Sequence, residues 1–261
     1  MIRGINNQPY LNLDPYLDIE GFKKIHLQIC RGLVLAEHKK EGNLLAPGIV
    51  EEIAHLGFKP LFHVLKEYNQ LPEDHEIKVV GRTIGSTKEN RDKFVLYLKL
   101  AMGAYDPYQM IFLKTEAGPW VSRFDEKDWS PDVQYFPELK IWLDDLVEKK
   151  VFKHLGRTLI FKAEHDCRMM FHRDFLPPAE FDYFDHRHEF IHIRPNLDKP
   201  FYIWDADTDR KVSMNSLASF FNDQDWHSGG VTNKQTYSLR IDGEFTDEFR
   251  EKIGLGNTPF Y

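Results

Sequence analysis

The stretch CRMMFHRD, residues 167–174, decides both the expected fold and the expected site. His172 and Asp174 stand two positions apart at the end of an apolar run that is typical of a β-strand. Side chains at positions i and i+2 of a strand point to the same face, so this imidazole and this carboxylate can reach one metal ion. A third candidate ligand is His227 in FNDQDWHSGG, 53 residues after Asp174, where it follows one predicted strand and precedes a Gly-Gly turn. The interval holds about four strands, enough for the chain to travel around a β-sandwich and return beside the first pair.

Short predicted strands fill the chain after residue 156. Pro, Asp, Asn and Gly separate them, as expected for turns. Strands this short at this spacing favour an antiparallel sandwich or barrel over βαβ units. Besides CRMMFHRD, the candidates are RTLIFKAE (157–164), EFIHIRP (189–195), PFYIWDA (200–206), RKVSM (210–214), LASFFND (217–223) and QTYSLRIDG (235–243).

The N-terminal half is predicted to be mainly helical, because its apolar residues recur three and four positions apart. The predicted helices lie in 19–40, 46–68, 89–104 and 136–152, and TDEFREKIGLG (246–256) predicts a short helix with a Gly C-cap. YQMIFLKTE (108–116) predicts a strand that joins the same sheet. No linker separates the halves, so we expect an α+β fold with a single domain over 1–261. Its parts would be a helical support region (1–155), a β-sandwich core (156–245) and a C-terminal helix and tail (246–261).

Composition argues against several classes of protein. The 34 Lys and Arg against 41 Asp and Glu give a net charge of −7, which disfavours a nucleic-acid-binding surface. Two cysteines exclude a disulfide framework and a Cys-rich zinc site. No apolar run reaches the roughly 18 residues of a membrane span, and the N-terminus lacks an apolar signal region. We therefore expect a cytoplasmic protein without nucleic-acid or membrane partners, and the sequence does not predict its oligomeric state.

Two histidines and one carboxylate are the ligand set of mononuclear non-haem iron oxygenases. Three protein ligands on one face of Fe(II) leave three positions for a bidentate cosubstrate and O2. Arg240 follows in YSLRIDG, 13 residues after His227 and between Leu239 and Ile241. A buried arginine there needs an anion, and a dicarboxylate cosubstrate would supply one to its bidentate fork. The alternative is an arginine of the sheet that pairs with an Asp or Glu on a neighbouring strand.

The run from FHRD through DWHSGG to YSLRIDG resembles the double-stranded β-helix core of the Fe(II)/2-oxoglutarate-dependent dioxygenases. The family signature is HxD, H and R in this order. FIHIRP, PFYIWD and the late DWH…SLRIDG are more particularly similar to the aspartyl/asparaginyl β-hydroxylase-like branch, which includes free-proline hydroxylases. The similarity covers roughly residues 156–245. Two departures stand out: the arginine lies further past the distal histidine than expected, and Asp242 stands where many members carry serine.

The resemblance implies a jelly-roll or cupin-like core that binds Fe(II) and 2-oxoglutarate and hydroxylates a small molecule with O2. It implies that Arg240 binds the far carboxylate of 2-oxoglutarate. His192 in FIHIRP is a candidate second contact to the cosubstrate, and Ser238 can stand in for the missing serine. The presence of Asp174 argues against a halogenase, because a halide needs the position of that carboxylate on the metal.

The substrate is predicted only by class. Basic side chains near the triad in sequence favour a carboxylate-bearing substrate, such as an amino acid or an amino-acid side chain, over a nucleobase. Arg194 and Tyr183 are candidate substrate contacts, and Trp226 is a candidate wall of the pocket. The aromatic, Pro-containing segment FLPPAEFDYFDHRH (175–188) is a candidate lid.

Other interpretations stay open at this point. His186 and His188 form an HxH that could bind metal instead, although Asp185, Arg187 and Glu189 around them suggest a solvated loop. A cupin-like metal isomerase or oxidase would need no 2-oxoglutarate. A non-catalytic binding module would use the same histidines structurally.

Overall fold

Two antiparallel sheets and several short helices build the part of the chain that the computed structural model describes. The described residues are 1–36, 39–41, 61–83, 108–115, 122–163, 189–205 and 207–256, with the single residues 87, 90, 93, 94, 97, 167, 169, 171, 172 and 174. The strands are β1 (Tyr10–Asn12), β2 (Lys39–Glu41), β3 (Tyr108–Phe112), β4 (Phe152–Ala163), β5 (Glu189–Ile193), β6 (Phe201–Asp205), β7 (Arg210–Ser213), β8 (Ala218–Phe221), β9 (Trp226–Gly229) and β10 (Thr236–Phe245). The α-helices are α1 (Ile19–Lys24), α2 (His26–Leu35), α3 (Leu61–Gln70), α4 (Glu76–Arg82), α5 (Pro137–Glu148) and α6 (Asp247–Lys252).

The strands from β4 onward are divided between two sheets, with β4, β5, β8 and β10 in the major sheet and β6, β7 and β9 in the minor sheet. The major sheet has the order β1-β8-β5-β10-β4-β3-β2, and the minor sheet has the order β7-β6-β9. Described residues of 167–174 run antiparallel to β9 and extend the minor sheet, through the main-chain bonds of Met169 with Gly229 and of His172 with His227. Eight segments in two facing four-stranded layers make a double-stranded β-helix, so the predicted α+β fold with a jelly-roll core is confirmed.

Most predicted strands appear within a few residues of their expected bounds. β3 pairs with β4, which confirms that 108–116 contributes to the same sheet. His227 follows β8, as expected, but it also lies within a further strand that was not predicted, β9, where it pairs with Ile203 of β6. WHSG is short and glycine-containing, so only this pairing identifies it as a strand.

The apolar core lies between the major sheet and the helices. Leu239 and Ile241 of β10 pack there with the buried face of α5, which includes Leu139 and Leu143. Because side chains alternate along a strand, Arg240 points the other way, into the space between the two sheets. The division of the chain into one domain rather than two stays a prediction.

The helices differ from expectation at several points. α2 ends at Leu35, and Lys39–Glu41 form β2 although a helix was predicted over 19–40; α4 was not predicted. The first predicted helix is broken at Ile25 into α1 and α2, while Asp18 caps α1 by accepting the N–H of Gly21 at 2.8 Å. α6 ends before Gly254, whose φ of +77° confirms the predicted glycine cap. The predicted helix 89–104 and the first part of 46–68 lie largely or wholly outside the described residues. Of the helices described, none has the length and apolar character needed to cross a membrane.

Candidate metal centre

A narrow bridge between two chain segments brings the predicted ligands together. The N–H of His172 donates to the carbonyl of His227 at 3.0 Å, and the N–H of His227 donates back at 3.0 Å. The N–H of Asp174 donates to the carbonyl of Asp223 at 3.0 Å, which holds the carboxylate on the same side. Residues that lie 49 positions or more apart in sequence therefore meet across a single pair of segments.

The three predicted ligands converge on one point. Asp174 Oδ1 lies 3.4 Å from His172 Nε2 and 3.3 Å from His227 Nε2. One donor atom from each residue lies within 4.8 Å of the others, and the two imidazole centroids are 4.4 Å apart. Two imidazole nitrogens and one carboxylate oxygen at this spacing suit a divalent transition metal with open positions, so the donor set fits iron.

His227 carries a further sign of a metal ligand. Its Nδ1 lies 2.8 Å from the carbonyl oxygen of Asp225, which can only accept a hydrogen bond. Nδ1 is therefore a protonated nitrogen, which leaves Nε2, the atom that faces Asp174, as the nitrogen that could bind a metal. Metal-bound histidines commonly donate their second N–H in this way, which fixes the tautomer and the ring orientation.

Asp174 is held as a carboxylate. Burial alone would raise the pKa of this carboxyl, but the Arg240 guanidinium, followed by the imidazoles of His227 and His172, outweighs that effect and keeps the pKa well below its ordinary value. Its second oxygen, Oδ2, accepts a hydrogen bond from Arg240. One oxygen thus faces the arginine and the other faces the histidines, which presents a single oxygen to a metal.

Asp174 belongs to a cluster of three arginines and three aspartates, which we call the arginine–aspartate network. Its members are Arg123, Arg157, Arg240, Asp174, Asp223 and Asp242. Each of the three aspartates contacts at least two of the arginines. The formal charges of the network cancel, which is how a protein tolerates so many ionised groups away from water.

Arg240 is the centre of the network. Its Nε donates to Asp242 at 2.6 Å, its Nη2 donates to Asp223 at 2.9 Å, and its Nη1 donates to Asp174. Its guanidinium also lies over the ring of Phe190, 3.8 Å from the ring centroid. The sequence left two partners open for Arg240, and the structure pairs it with aspartates. Its contact with a cosubstrate carboxylate stays a prediction.

The triad lies on the wall of a cavity of about 220 Å³ between the two sheets. His192 and Ser238 also line this cavity, and His192 is the cross-strand neighbour of Arg240. His192 is buried, and among the described residues its Nδ1 has no hydrogen-bond partner. Burial, together with the guanidinium groups of Arg194 and Arg240, holds the pKa of His192 well below its usual range, so the imidazole is neutral.

The predicted substrate contacts have different surroundings. Arg194 lines the cavity, but its Nη atoms donate to the carbonyls of three residues, which fastens the loop after β5 to the segment before β8: Lys199, Met214 and Ser216. Trp226 packs against Trp204 on the opposite face of β9 from His227, and it is not among the described residues that line the cavity. Adjacent residues of a strand point to opposite faces, which explains why this prediction for Trp226 is not met. Tyr183 lies outside the described residues.

The alternative HxH site also lies outside the described residues, but one of its flanks is described. Glu189, expected in a solvated loop, is fully buried in β5 and forms an ion pair with Arg250. The prediction that Glu189 belongs to a solvated loop is therefore wrong.

Sequence reasoning missed several residues around the triad. Asp223 and Asp225 lie within four positions of His227 in sequence. Acidic residues this close to a predicted metal ligand could have been predicted to contact the site. Arg123 gave no local signal, because its partner Asp223 is 100 residues away. Lys199 was also missed: it lines the cavity, and among the described residues it has no ion pair.

Comparison with known proteins gives structural likeness only. No protein-family model and no curated protein matches the sequence. Among solved structures, a Pseudomonas putida prolyl-4-hydroxylase is 10% identical with a TM-score of 0.30, over 82% of this chain and 96% of that one. An oxidoreductase of the 2OG-Fe(II) oxygenase family from Burkholderia pseudomallei is 12% identical with a TM-score of 0.32, over 52% and 67%. The viral collagen prolyl hydroxylase of Paramecium Bursaria Chlorella virus-1, in complex with 2OG, is 8% identical with a TM-score of 0.32, over 52% and 77%. Scores this low carry no argument about activity, which rests on the residues themselves.

Proposed function

We propose that the chain is an Fe(II)/2-oxoglutarate-dependent dioxygenase. It would hydroxylate an unactivated C–H bond of a small carboxylate-bearing substrate, an amino acid or an amino-acid side chain. One observation carries the proposal: His172 Nε2, Asp174 Oδ1 and His227 Nε2 converge on the wall of a cavity inside a double-stranded β-helix. This donor set leaves positions on Fe(II) for a bidentate cosubstrate and O2.

The chain's own residues would prepare this chemistry. His172, Asp174 and His227 would hold Fe(II), which together with 2-oxoglutarate would supply activation of O2, the oxidant: one oxygen atom ends in the succinate formed with carbon dioxide from 2-oxoglutarate, and the other ends in the hydroxyl group of the product. Asp174 is kept ionised, and the hydrogen bond at Nδ1 holds the ring of His227 in place. Phe161, Phe201 and Phe221 line the cavity and limit the water that can reach the reacting atoms.

Two cations are proposed for the far carboxylate of 2-oxoglutarate. Arg240 has five N–H groups and uses three on aspartates, so two remain for a ligand. Lys199 lies over Gly229, where an added Cβ would be 3.0 Å from Lys199 Cε and 3.7 Å from Nζ. Gly229 is two residues after His227 on β9, and two residues of a strand span about 6.6 Å on one face. The Lys199 ammonium is thus within the reach of a metal-bound five-carbon diacid.

Two polar groups would complete the cosubstrate contacts. His192 is the cross-strand partner of Arg240, and Ser238 is two residues before Arg240 on the same face of β10. The buried Nδ1 of His192, without a partner among the described residues, supports a ligand in hydrogen-bonding reach.

The charge of Arg194 supports an anionic substrate. This buried guanidinium donates to neutral main-chain carbonyls, and no hydrogen bond or ion pair described for it involves a carboxylate. Burial lowers the pKa of Arg194, and the nearby Tyr10 and Asp14 oppose this effect only in part, so a carboxylate in the cavity would further stabilise its positive charge. Tyr183 remains a proposed contact on the sequence alone.

The test is ligand-dependent thermal stability of the metal-free protein with Mn(II), which allows binding without turnover. At a concentration 100 times its Kd, 2-oxoglutarate should stabilise the Mn(II)-loaded protein by about 2.7 kcal/mol, a shift in Tm of roughly 5–10 °C. Without metal it should give no shift. A 2-oxoglutarate shift of equal size without metal, or none with metal, would sink the proposal.

Matched variants sharpen this experiment. His172→Ala should abolish the Mn(II) shift, whereas His154→Ala should keep it, because His154 is a half-buried histidine of β4 that bonds a main-chain carbonyl instead. 2-Oxopentanoate, which has a methyl group in place of the far carboxylate, should stabilise less than 2-oxoglutarate. Lys199→Met should reduce that difference without changing the response to Mn(II), and Arg240 would account for the part that remains.

A second candidate function is a cupin-like metal isomerase or oxidase that uses no 2-oxoglutarate. The pairing of Arg240 with three aspartates favours it, because these carboxylates already balance the cation expected to attract a cosubstrate. Stabilisation by Mn(II) with indifference to both oxoacids would select this function. A chain indifferent to metal as well would be a binding module whose histidines are structural.

A further inference from the structure

Asp225 connects the N-terminal segment to a ligand of the candidate metal centre. Its side chain is buried, and both carboxylate oxygens are engaged. Oδ1 accepts the main-chain N–H of Arg3 at 2.8 Å, and Oδ2 accepts the main-chain N–H of Gly4 at 2.7 Å. The carbonyl of the same residue accepts the Nδ1–H of His227 at 2.8 Å. One residue therefore receives three hydrogen bonds, two from the N-terminal segment and one from a predicted ligand.

The N-terminal segment is shaped to offer these two amides. Gly4 has a φ of +64°, and a Cβ there would lie 2.2 Å from the carbonyl oxygen of Gln8. Ile5 and Gln8 form a two-bond bridge around Asn6 and Asn7, whose φ values of 49° and 62° close a tight turn. Successive N–H groups in such a conformation form a concave site for an anion. Here the anion is the carboxylate of the protein itself.

We infer that Asp225, anchored by the amides of Arg3 and Gly4, is a positioning residue that fixes His227 for metal binding. The carbonyl that receives Nδ1–H belongs to the residue whose side chain is anchored, so the anchor sets where that carbonyl lies. The carbonyl in turn sets the tautomer of His227 and aims Nε2 at Asp174 Oδ1, 3.3 Å away. Partners of this kind usually affect metal affinity by 10–100-fold. The inference rests on the metal centre of the proposed function.

A matched control exists in the same part of the chain. Asp14 also accepts two successive amides, those of Leu217 at 3.1 Å and Ala218 at 2.7 Å, and it joins the N-terminal region to β8. No predicted metal ligand hydrogen-bonds to Asp14 in the described chain. Asp14→Asn thus removes a comparable anchor that makes no hydrogen bond to a residue of the triad.

The experiment measures Mn(II) affinity and metal-free stability of Asp225→Asn and Asp14→Asn beside the wild type. Both variants should lose stability to urea, but only Asp225→Asn should bind Mn(II) more weakly, by on the order of 10-fold. In the metal-free proteins, imidazole ¹⁵N NMR should give one Nδ1–H tautomer for His227 in the wild type and in Asp14→Asn. Asp225→Asn should add the second tautomer.

A second variant covers the case in which Asp225→Asn fails to fold. Gly4→Ala disturbs the same amides from the other side, because its φ is strained for alanine and its methyl group meets Gln8. It should give the same loss of Mn(II) affinity and the same second tautomer. Wild-type affinity and a single tautomer in these variants would overturn the inference. Loss of 2-oxoglutarate binding with Mn(II) binding intact would overturn the dioxygenase proposal but not this inference.

Discussion

Replacing Arg240 with methionine removes the central cation of the arginine–aspartate network. Arg240 is 6% exposed, and its partners Asp223 and Asp242 are 1% and 0% exposed. Breaking a buried ion pair by removing one partner costs about 3–5 kcal/mol, because the remaining charge is left uncompensated away from water. With an m-value of about 2–3 kcal/mol/M in urea, the midpoint of unfolding of the metal-free protein should fall by about 1–2.5 M.

Two controls separate charge balance from loss of packing. Lys153→Met removes a cation of β4 whose ion pair with Glu244 is about 40% exposed, so it should cost at most about 1 kcal/mol. Adding Asp223→Asn to Arg240→Met removes one charge of each sign and restores neutrality. The double variant should therefore be more stable than the sum of the single effects by about 1–3 kcal/mol.

The refuting result is a loss of less than about 1 kcal/mol in Arg240→Met. Arg240 would then not be held by the aspartates in solution. Its guanidinium would be free to bind a ligand carboxylate, and the second candidate function would lose its supporting observation.

Three further predictions concern single contacts. Because burial and nearby arginines lower the pKa of His192, the unfolded state should take up a proton below about pH 6.5 that the folded state does not. As the pH is lowered further, the free energy of unfolding measured in urea should fall by up to about 1.4 kcal/mol per pH unit until the pKa of His192 in the folded state is reached. His192→Phe should make this pH dependence less steep. An unchanged pH dependence in that variant would contradict the assignment to His192. Glu189→Gln should lower the free energy of unfolding by about 3–5 kcal/mol, because it leaves the buried charge of Arg250 without its partner. Mn(II) affinity measured by calorimetry should stay unchanged, and a weaker affinity would contradict the prediction that this ion pair is independent of the metal centre. Gly229→Ala should displace Lys199 and weaken 2-oxoglutarate binding without weakening Mn(II), whereas equal loss of both would mean damage to β9.

Local pattern was sufficient to predict most of the longer strands and the three residues of the triad. The i, i+2 spacing of His172 and Asp174 predicts that they share one face of a strand. The short strands after residue 156, separated by turn residues, were enough to predict an antiparallel sandwich or barrel. The same reasoning failed for β1 and β9, because both are short and depend on partners far along the chain. Tyr10 pairs with Phe221, and no pattern within three residues predicts such a contact.

The network around the triad was beyond local reasoning for a related physical reason. A charged side chain near a site shows in the sequence, but its partner does not. Arg240 was expected to need an anion, and that need is met by Asp174, Asp223 and Asp242, which are 66, 17 and 2 residues away. Which of several acids lies within reach of a guanidinium is decided by strand register, and the sequence does not state that register.

The place of β10 in the major sheet has a consequence for the making of the protein. β10 lies between β5 and β4 in the major sheet, yet it is translated after every other strand described. Until it emerges, β4 and β5 expose facing edges with unpaired amides, which invite contact with other chains. The candidate ligands His172, Asp174 and His227 all precede β10, so they are translated before the major sheet can be completed. Insertion of β10 is therefore the step that closes both exposed edges and completes this sheet.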